Sequence, residues 1–263
     1  MRIGTYAIGG TIWLAACVVA LSETSAEPPL PSIETVIQRA VDAAQGGSDN
    51  DRAFNQRYFY ARAKVTEFRN GDGELKKQEK KQNVNDPARQ AARPVVPQPA
   101  PQANAVTPSG AGQAPTANVR GRAFDKKDFL ANPDLLDRFV LVLKGRESVN
   151  GRDALVIDFK PKAGKLPERN LKERFINRAA GRIWLDEEES QLVKADLHLT
   201  EKVDVLGGLV RSVWKFNCSI DRERTDDGLW FTRATSWHLE GREVVLRRTV
   251  DYHEQTTDLR RMR

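Results

Sequence analysis

The chain has little cysteine and little histidine, and each shortage excludes a class of protein. Two cysteines and three histidines in 263 residues cannot build a disulfide framework or a Cys/His zinc finger. The sequence also lacks a glycine-rich phosphate loop, a Gly-x-Ser-x-Gly elbow and a His-Glu-x-x-His pair. We therefore expect no enzyme activity, no cofactor and no metal.

The chain also lacks a large excess of charge of either sign. The 42 lysines and arginines exceed the 36 aspartates and glutamates by six, and the pI is about 9.4. A surplus this modest and this dispersed does not indicate a nucleic-acid-binding protein. It does allow an anionic membrane surface as a partner.

The first 26 residues have the three parts of a signal peptide. Met1-Arg2 is a short basic start, Ile3 to Leu21 is apolar, and the segment ends in a small-residue cleavage site. Cleavage between Ala26 and Glu27 would release the chain into the periplasm or the medium. A single membrane anchor is the competing interpretation, but the glycines in this stretch make a poor span.

A second processing route overlaps the first. Residues 14–17, Leu-Ala-Ala-Cys, match the bacterial lipobox, in which Cys17 is lipidated and becomes the new N-terminus. The residues after Cys17 stay apolar, where a lipoprotein tether normally turns polar. A lipid-anchored protein of the outer membrane is therefore the alternative location.

Residues 27–85 and 119–263 are predicted to form one domain, which residues 86–118 interrupt. The first part is predicted to contain a helix from Ile33 to Ala44, followed by a hairpin. Gly46-Gly47 is predicted to end the helix. Residues 86–118 contain seven of the thirteen prolines, nine alanines and no Leu, Ile, Met or aromatic residue. Such a segment cannot bury enough apolar surface to offset the cost of ordering it, so we expect a disordered insert.

About nine strands follow from alternating apolar and polar residues between turn signals. They span residues 58–68, 74–82, 139–149, 154–160, 181–186, 192–201, 210–222, 229–239 and 243–256. Helices do not alternate with these strands, which argues against a doubly wound parallel sheet. We predict a mainly β (α+β) fold: a curled antiparallel sheet or unclosed β-barrel, with the N-terminal helix covering the concave face.

The apolar sides of the later strands add up to a surface that one helix covers poorly. We therefore predict an apolar cavity that a guest shares. Acyl chains suit such a site, because each buried methylene contributes about 0.8 kcal/mol. The candidate lining residues, which alternation places on common faces of their strands, are Val193, Leu197, Leu199, Trp214, Phe216, Ile220, Phe231, Trp237 and Leu246.

Polar and reactive side chains give weaker signals. Cys218 alternates with the aromatic residues of its strand, which predicts a buried, unreactive thiol. The three histidines, His198, His238 and His253, fall on separate strands without a short-range ligand pair, which argues against a metal site. The acidic run 186–189 lacks the glycine and spaced oxygens of a calcium loop, so a solvated turn is expected.

Four lysines in the second predicted strand leave two interpretations open. They either solvate an edge strand and prevent aggregation, or they bind anionic head groups. We favour the solvated edge. The residues are Lys76, Lys77, Lys80 and Lys81.

Several short motifs resemble a pattern found in secreted bacterial envelope proteins. They are Gly145-Arg146-Glu147, Gly151-Arg152-Asp153-Ala154, Asp158-Phe159-Lys160-Pro161, Gly181-Arg182-Ile183-Trp184-Leu185-Asp186 and Asp227-Gly228-Leu229-Trp230. From about Phe129 to its end the chain is similar to relatives of the outer-membrane lipoprotein-sorting carriers of the Lol system, whose fold the periplasmic sigma-E regulators share. The resemblance implies an unclosed antiparallel barrel with helices in its mouth and an apolar cavity for acyl chains.

Three functions are compatible with these observations. The leading hypothesis is an exported, monomeric envelope protein that binds lipid or an acylated polypeptide. The alternative is an envelope interaction or regulatory protein with no small-molecule ligand. A hydrolase of an envelope polymer would need a catalytic constellation, and the sequence shows none.

Overall fold

The computed structural model describes residues 28–91, 136–205, 211–244 and 246–262. The predicted signal peptide, the lipobox and most of the predicted insert lie outside these ranges. No helix in the described ranges is both long and apolar enough to cross a membrane. The helices and strands described below belong to one compact unit, Pro31–Arg263.

Ten strands form a single antiparallel sheet. In chain order they are β1 (Tyr58–Asn70), β2 (Leu75–Asn85), β3 (Phe139–Val149), β4 (Arg152–Pro161), β5 (Ala179–Asp186), β6 (Leu192–Leu199), β7 (Val203–Val205), β8 (Arg211–Arg224), β9 (Trp230–Glu243) and β10 (Leu246–Arg261). Their order across the sheet is β2-β1-β10-β9-β8-β6-β5-β4-β3, and the short β7 pairs with β8. The sheet is not closed into a barrel, so the predicted fold class is confirmed.

Four helices accompany the sheet: α1 (Ile33–Gln45), α2 (Gly47–Arg57), α3 (Pro87–Ala91) and α4 (Leu171–Ile176). The Ser32 side chain caps α1 by accepting a hydrogen bond of 3.2 Å from the backbone N–H of Thr35. The apolar stripe of α1 is buried at Val36 and Ala40. The predicted N-terminal helix is therefore present almost residue for residue.

Helix α2 is an element that the sequence analysis missed. Gly46 was expected to end the helical segment, but its φ of −71° and ψ of −6° are ordinary helical values, and α2 begins at the next residue. The ring of Phe54 on α2 stacks on Tyr58, Tyr60 and Phe231, with ring centroids about 5 Å apart. This aromatic cluster fixes α2 against β1 and β9.

We call the face of the sheet that carries α1 and α2 the inner face. The main core lies between α1 and strands β3 to β6 on this face. It contains Val36, Ala40, Phe139, Leu155, Ile157, Phe159, Ile176, Ala179, Ile183, Leu185, Leu192 and Ala195. A smaller cluster on the opposite, outer face contains Ala154, Val156, Trp184, Val193 and Trp230.

Two β-bulges overturn the faces expected from alternation. In β6 the pairing shifts from Trp184↔Lys194 to Leu185↔Leu192, so Val193 joins the outer cluster and not the face of Leu197. A bulge inserts one unpaired residue and thereby resets which face later side chains occupy. In β8 a second bulge falls at Trp214, whose indole N–H lies 3.4 Å from Glu240 on the outer face, away from Phe216.

The start of the predicted insert is ordered. Asp86 accepts hydrogen bonds from the backbone N–H groups of Ala88 and Arg89, and Pro87 occupies the first helical position of α3. An aspartate cap followed by proline is a strong helix-start signal, which the low-complexity composition of the segment concealed.

The acidic run 186–189 is held by arginines and is not a solvated turn. Asp186 accepts two hydrogen bonds from Arg152, at 2.6 and 3.0 Å. Glu187 receives two from Arg146, each of 2.7 Å, and Glu189 receives one of 2.7 Å from Arg224. Arginine forks fit carboxylates in this bidentate way, so the run ties β3, β4 and β8 to the turn.

Candidate functional site

A row of apolar side chains crosses the inner face beyond the part that α1 covers. Phe216 of β8 pairs with Leu239 of β9, Leu239 with Val250 of β10, and Val250 with Phe68 of β1. Phe216 is buried, whereas the other three are half-buried. We call these four residues the apolar row. It continues the main core toward the edge strand β2 without being fully enclosed.

Aromatic rings form a second line beside the apolar row. The Phe175 ring of α4 meets Phe216 edge-on, with centroids 6.4 Å apart, and Phe216 lies 6.3 Å from Trp237. Trp237 stacks on Tyr252 at 5.2 Å. Trp237 is half-buried between these neighbours. Large flat rings of this kind provide apolar contact area at little cost in side-chain entropy.

Charged side chains border the aromatic line on β1 and β10. Lys64 and Arg62 lie 3.0 and 3.7 Å from the carboxylate of Glu254. The hydroxyl of Tyr252 donates to the same carboxylate, and burial together with this bond raises the pKa of Tyr252. The guanidinium of Arg62 also lies 5.3 Å from the centre of the Tyr60 ring. The site therefore has an apolar floor and a cationic border that one glutamate partly neutralises.

The structure brings some of the predicted lining residues together and separates others. Leu197 and Ile220 pack at the margin of the main core, next to Phe216 and Trp237. Leu199 is half-buried at the end of β6. The remaining members lie elsewhere: Val193 in the outer cluster, Phe231 under α2, Trp214 at a bulge and Leu246 in an exposed turn.

The predicted lining residues do not include five apolar or aromatic members of the site: Phe68, Phe175, Leu239, Val250 and Tyr252. Phe68 contributes to the site because β1 pairs with β10, and this pairing joins the two ends of the described chain. Register between such distant strands leaves no local signal in the sequence. The alternation of Val250 with Tyr252 in β10 is the one local pattern that could have indicated Tyr252.

Four grooves on the described surface have linings that mix apolar and polar residues. Leu197 and Trp237 contribute to a groove of about 400 Å³, together with polar residues of the outer face. Trp214 borders one of about 480 Å³ and Leu246 one of about 890 Å³. The fourth, of about 970 Å³, follows the loop after β4. None of these four collects the predicted lining residues into one cavity.

The outer face of the same strands is polar. His198, Asn217, His238 and Asp251 are paired directly across β6, β8, β9 and β10. Among the described residues, no group of histidine, cysteine, aspartate and glutamate could hold a metal ion. Cys218, on the inner face, is buried, and burial raises the pKa of its thiol to about 12. A thiol with this pKa is unreactive at neutral pH.

His238 should make folding stability depend on pH. Its Nδ1 lies 2.6 Å from Asp251 and its Nε2 2.9 Å from Glu240. Burial disfavours the imidazolium, but these two carboxylates outweigh it and raise the pKa of His238. The ion pairs of protonated His238 therefore stabilise the fold fully below the unfolded-state pKa of about 6.5. This stabilisation is lost as pH rises through the higher folded-state pKa.

Urea unfolding of His238→Gln across this pH window measures the effect. We expect the variant to lose stability below neutral pH and to approach the wild type at alkaline pH. His198→Gln, which alters an exposed histidine on the same face, is the matched control and should follow the wild type. A His238→Gln profile parallel to the wild type at every pH would contradict the prediction.

Comparison with known proteins gives distant similarities. No family model matches the chain, and no curated protein matches it. The chain is similar to the solved structure of a DUF1329 family protein from Desulfovibrio piger, with 16% identity, a TM-score of 0.32 and coverage of 86% of this chain and 92% of that one. A second is a putative outer membrane lipoprotein-sorting protein domain from Vibrio parahaemolyticus, with 11% identity, a TM-score of 0.32 and coverage of 86% and 93%.

A third similar structure is the Pseudomonas aeruginosa MucA/MucB complex, with 10% identity, a TM-score of 0.24 and coverage of 85% and 99%. The neighbours thus include lipoprotein-sorting proteins and the sigma-E regulator MucB. The resemblance stated from the sequence motifs is confirmed in that respect.

Proposed function

We propose that this chain is an exported, non-enzymatic protein of the bacterial envelope that binds lipid or an acylated polypeptide on its inner face. The observation that carries the proposal is the apolar row with the adjacent Trp237. These side chains continue the core across four more strands, β8, β9, β10 and β1, and most of them are half-buried in the described structure. An acyl chain laid along them would complete the burial, with about 0.8 kcal/mol for each buried methylene.

The border of the site supports the same ligand class. Arg62 and Lys64 share the single carboxylate of Glu254, which leaves a cationic excess at the edge of an apolar floor. A fatty acid carboxylate or a phospholipid head group carries the complementary charge. The signal-peptide pattern at residues 1–26 supports export to the periplasm, and the lipobox at Cys17 supports the lipid-anchored alternative.

A second function has one observation in its favour. Phe216 and Tyr252 are already 7% and 8% exposed, so part of the inner face is filled by the protein's own side chains. An envelope interaction or regulatory protein without a small-molecule ligand would have such a filled face. The two functions differ in whether an acyl chain reaches Trp237.

Quenching of tryptophan fluorescence by a dibrominated fatty acid tests this contact. Bromine quenches an indole that it touches, and Trp237 is the half-buried tryptophan on the inner face. We expect concentration-dependent, saturable quenching of the wild type and loss of most of it in Trp237→Phe. Trp214→Phe is the matched control, because Trp214 points to the outer face, and it should retain the quenching.

Protein purified without detergent provides the second readout. Native mass spectrometry followed by solvent extraction should recover bound fatty acid or phospholipid from the wild type. Equal quenching in both tryptophan variants, together with ligand-free protein, would overturn lipid binding and leave the interaction protein. Circular dichroism of each variant establishes that its fold is retained.

A further inference from the structure

The open, mainly apolar part of the inner face is two residue rows wide. One row is the apolar row, and the other crosses the same strands at Cys218, Trp237, Tyr252 and Thr66. We call these two rows together the apolar strip. On β9, β10 and β1 the next row on one side consists of Gly241, Arg248 and Asn70. The next row on the other side consists of Thr235, Glu254 and Lys64.

The width of the apolar strip suits one acyl chain. Residues two apart on a strand lie about 7 Å from each other, and carbon atoms in contact lie about 3.5–4 Å apart. A single chain in the furrow between the two rows therefore contacts both of them. A second chain beside it would cover Arg248 or Glu254, and removing such charged side chains from water is unfavourable.

Arg62, beside the apolar strip, has a guanidinium that no hydrogen bond occupies within the described structure. Its Nε is buried without a hydrogen-bond partner, and the carboxylate of Glu254 lies 3.7 Å away, beyond hydrogen-bond distance. By contrast, Arg152 and Arg182 each donate two hydrogen bonds to one carboxylate. Buried donors without a partner are rare in folded proteins, and an arginine fork fits a carboxylate. The unoccupied fork therefore indicates an anionic ligand.

The charges around Arg62 do not cancel. The inner face of β1 from Arg62 to Phe68, with the positions paired to it on β2 and β10, carries four cations and two carboxylates. They are Arg62, Lys64, Lys77 and Lys81 against Glu79 and Glu254. Asp51 of α2 lies near the neighbouring Tyr60, and it also faces the buried Arg222. With Asp51 counted, one positive charge is still in excess, which matches a ligand with one negative charge.

We propose that the inner face binds one long-chain fatty acid, with its acyl chain in the apolar strip and its carboxylate on Arg62 and Lys64. A chain in the furrow reaches β1 between Phe68 and Thr66, and Lys64 is the next inner-face residue along that strand. This inference rests on the proposed lipid binding and narrows it to a ligand with one chain and one negative charge. Diacyl phospholipids and polypeptides with several acyl chains exceed the strip.

Three brominated lipids that quench Trp237 on contact separate the effect of the chain from that of the charge. Dibromostearic acid should quench the wild type saturably. Its methyl ester has the same chain and no charge, so it should bind about tenfold or more weakly. Dibrominated phosphatidylglycerol has one negative charge but two chains, so it should bind weakly as well.

Arg62→Gln tests the fork directly. It should weaken the binding of dibromostearic acid about tenfold and leave the binding of the methyl ester unchanged. Because Arg62 has no hydrogen bond within the described structure to lose, the melting temperature should stay within about 2 °C of the wild type. Arg69→Gln is the matched control and should bind like the wild type. Arg69 lies on the same strand and is 35% exposed like Arg62, but it pairs with Glu67 on the outer face.

Each part of the proposal can fail separately. Equal binding of the acid and its methyl ester, or unchanged binding of the acid by Arg62→Gln, would overturn the role of Arg62. Phosphatidylglycerol binding as tight as that of the fatty acid would overturn the single-chain ligand. Absence of quenching by all three lipids would contradict the proposed lipid binding itself, and this inference with it.

Discussion

Gly181→Ala should destabilise the fold by about 3 kcal/mol or more. A methyl group at Gly181 would lie 2.0 Å from the backbone carbonyl oxygen of Asp196, far inside any real contact distance. Backbone cannot rotate away as a side chain can, so β5 must separate from β6 where Gly181 pairs with Leu197. Both strands contribute to the main core, which would open with them. Urea denaturation of the purified variant measures the loss.

Gly46→Ala is the matched control for this substitution. Gly46 has helical backbone angles, and an added methyl group would find its nearest neighbour at an ordinary 3.7 Å. We expect the variant to gain about 0.4–1 kcal/mol, because alanine restricts the unfolded chain more than glycine does. A Gly181→Ala protein as stable as the wild type would show that β5 and β6 are not as close as described.

Asp186→Ala should cost about 1–3 kcal/mol. The Asp186 side chain is 1% exposed and accepts hydrogen bonds from Arg152 and, at 2.7 Å, from the backbone N–H of Glu189. Burial alone would raise the pKa of Asp186. The hydrogen bonds from Arg152 and from backbone N–H groups have the larger, opposite effect, so the pKa is lowered. Removing the carboxylate leaves the backbone N–H of Glu189 without its buried acceptor, while Arg152 keeps its hydrogen bond of 2.9 Å to Glu188.

The contribution of Asp186 should also have a definite pH dependence. Because its pKa is lowered by folding, the stabilisation is present above the unfolded-state pKa of about 3.9 and is lost as pH falls through the folded-state pKa. Thermal melts of wild type and Asp186→Ala should therefore converge in acid. Asp153→Ala changes an exposed aspartate near the same turn and should shift stability by about 0.5 kcal/mol or less.

Local sequence signals predicted those turns and helices whose conformation depends on neighbouring residues in the chain. Asn150-Gly151 predicted a tight hairpin, and both residues have positive φ, of 53° and 76°. Helix α1 begins and ends within a residue of its predicted bounds. Helix α2 was missed because it has one buried apolar side chain, Phe54, and follows two glycines that resemble a helix end.

The candidate site was harder to predict, because bulges and distant pairing determine it. Alternation placed Val193 with Leu197 and Trp214 with Phe216, but a bulge in each strand moves one member to the outer face. No residue pattern marks either bulge in advance. Trp237 and Phe216 were both predicted lining residues, and their rings lie 6.3 Å apart, whereas the place of Tyr252 depends on the register between β9 and β10.

The position of β10 between β1 and β9 has a consequence for the order of folding. Tyr58, at the start of β1, pairs with Arg261, so the N-terminal hairpin joins the sheet through the last strand of the chain. The hairpins from β3 to β6 and from β8 to β10 need only nearby residues, whereas this ladder must close a loop of almost the whole domain. We therefore expect β1 and β2 to dock late and slowly. Until β1 docks, the apolar row lacks Phe68, and β10 remains an unpaired edge strand of the sheet.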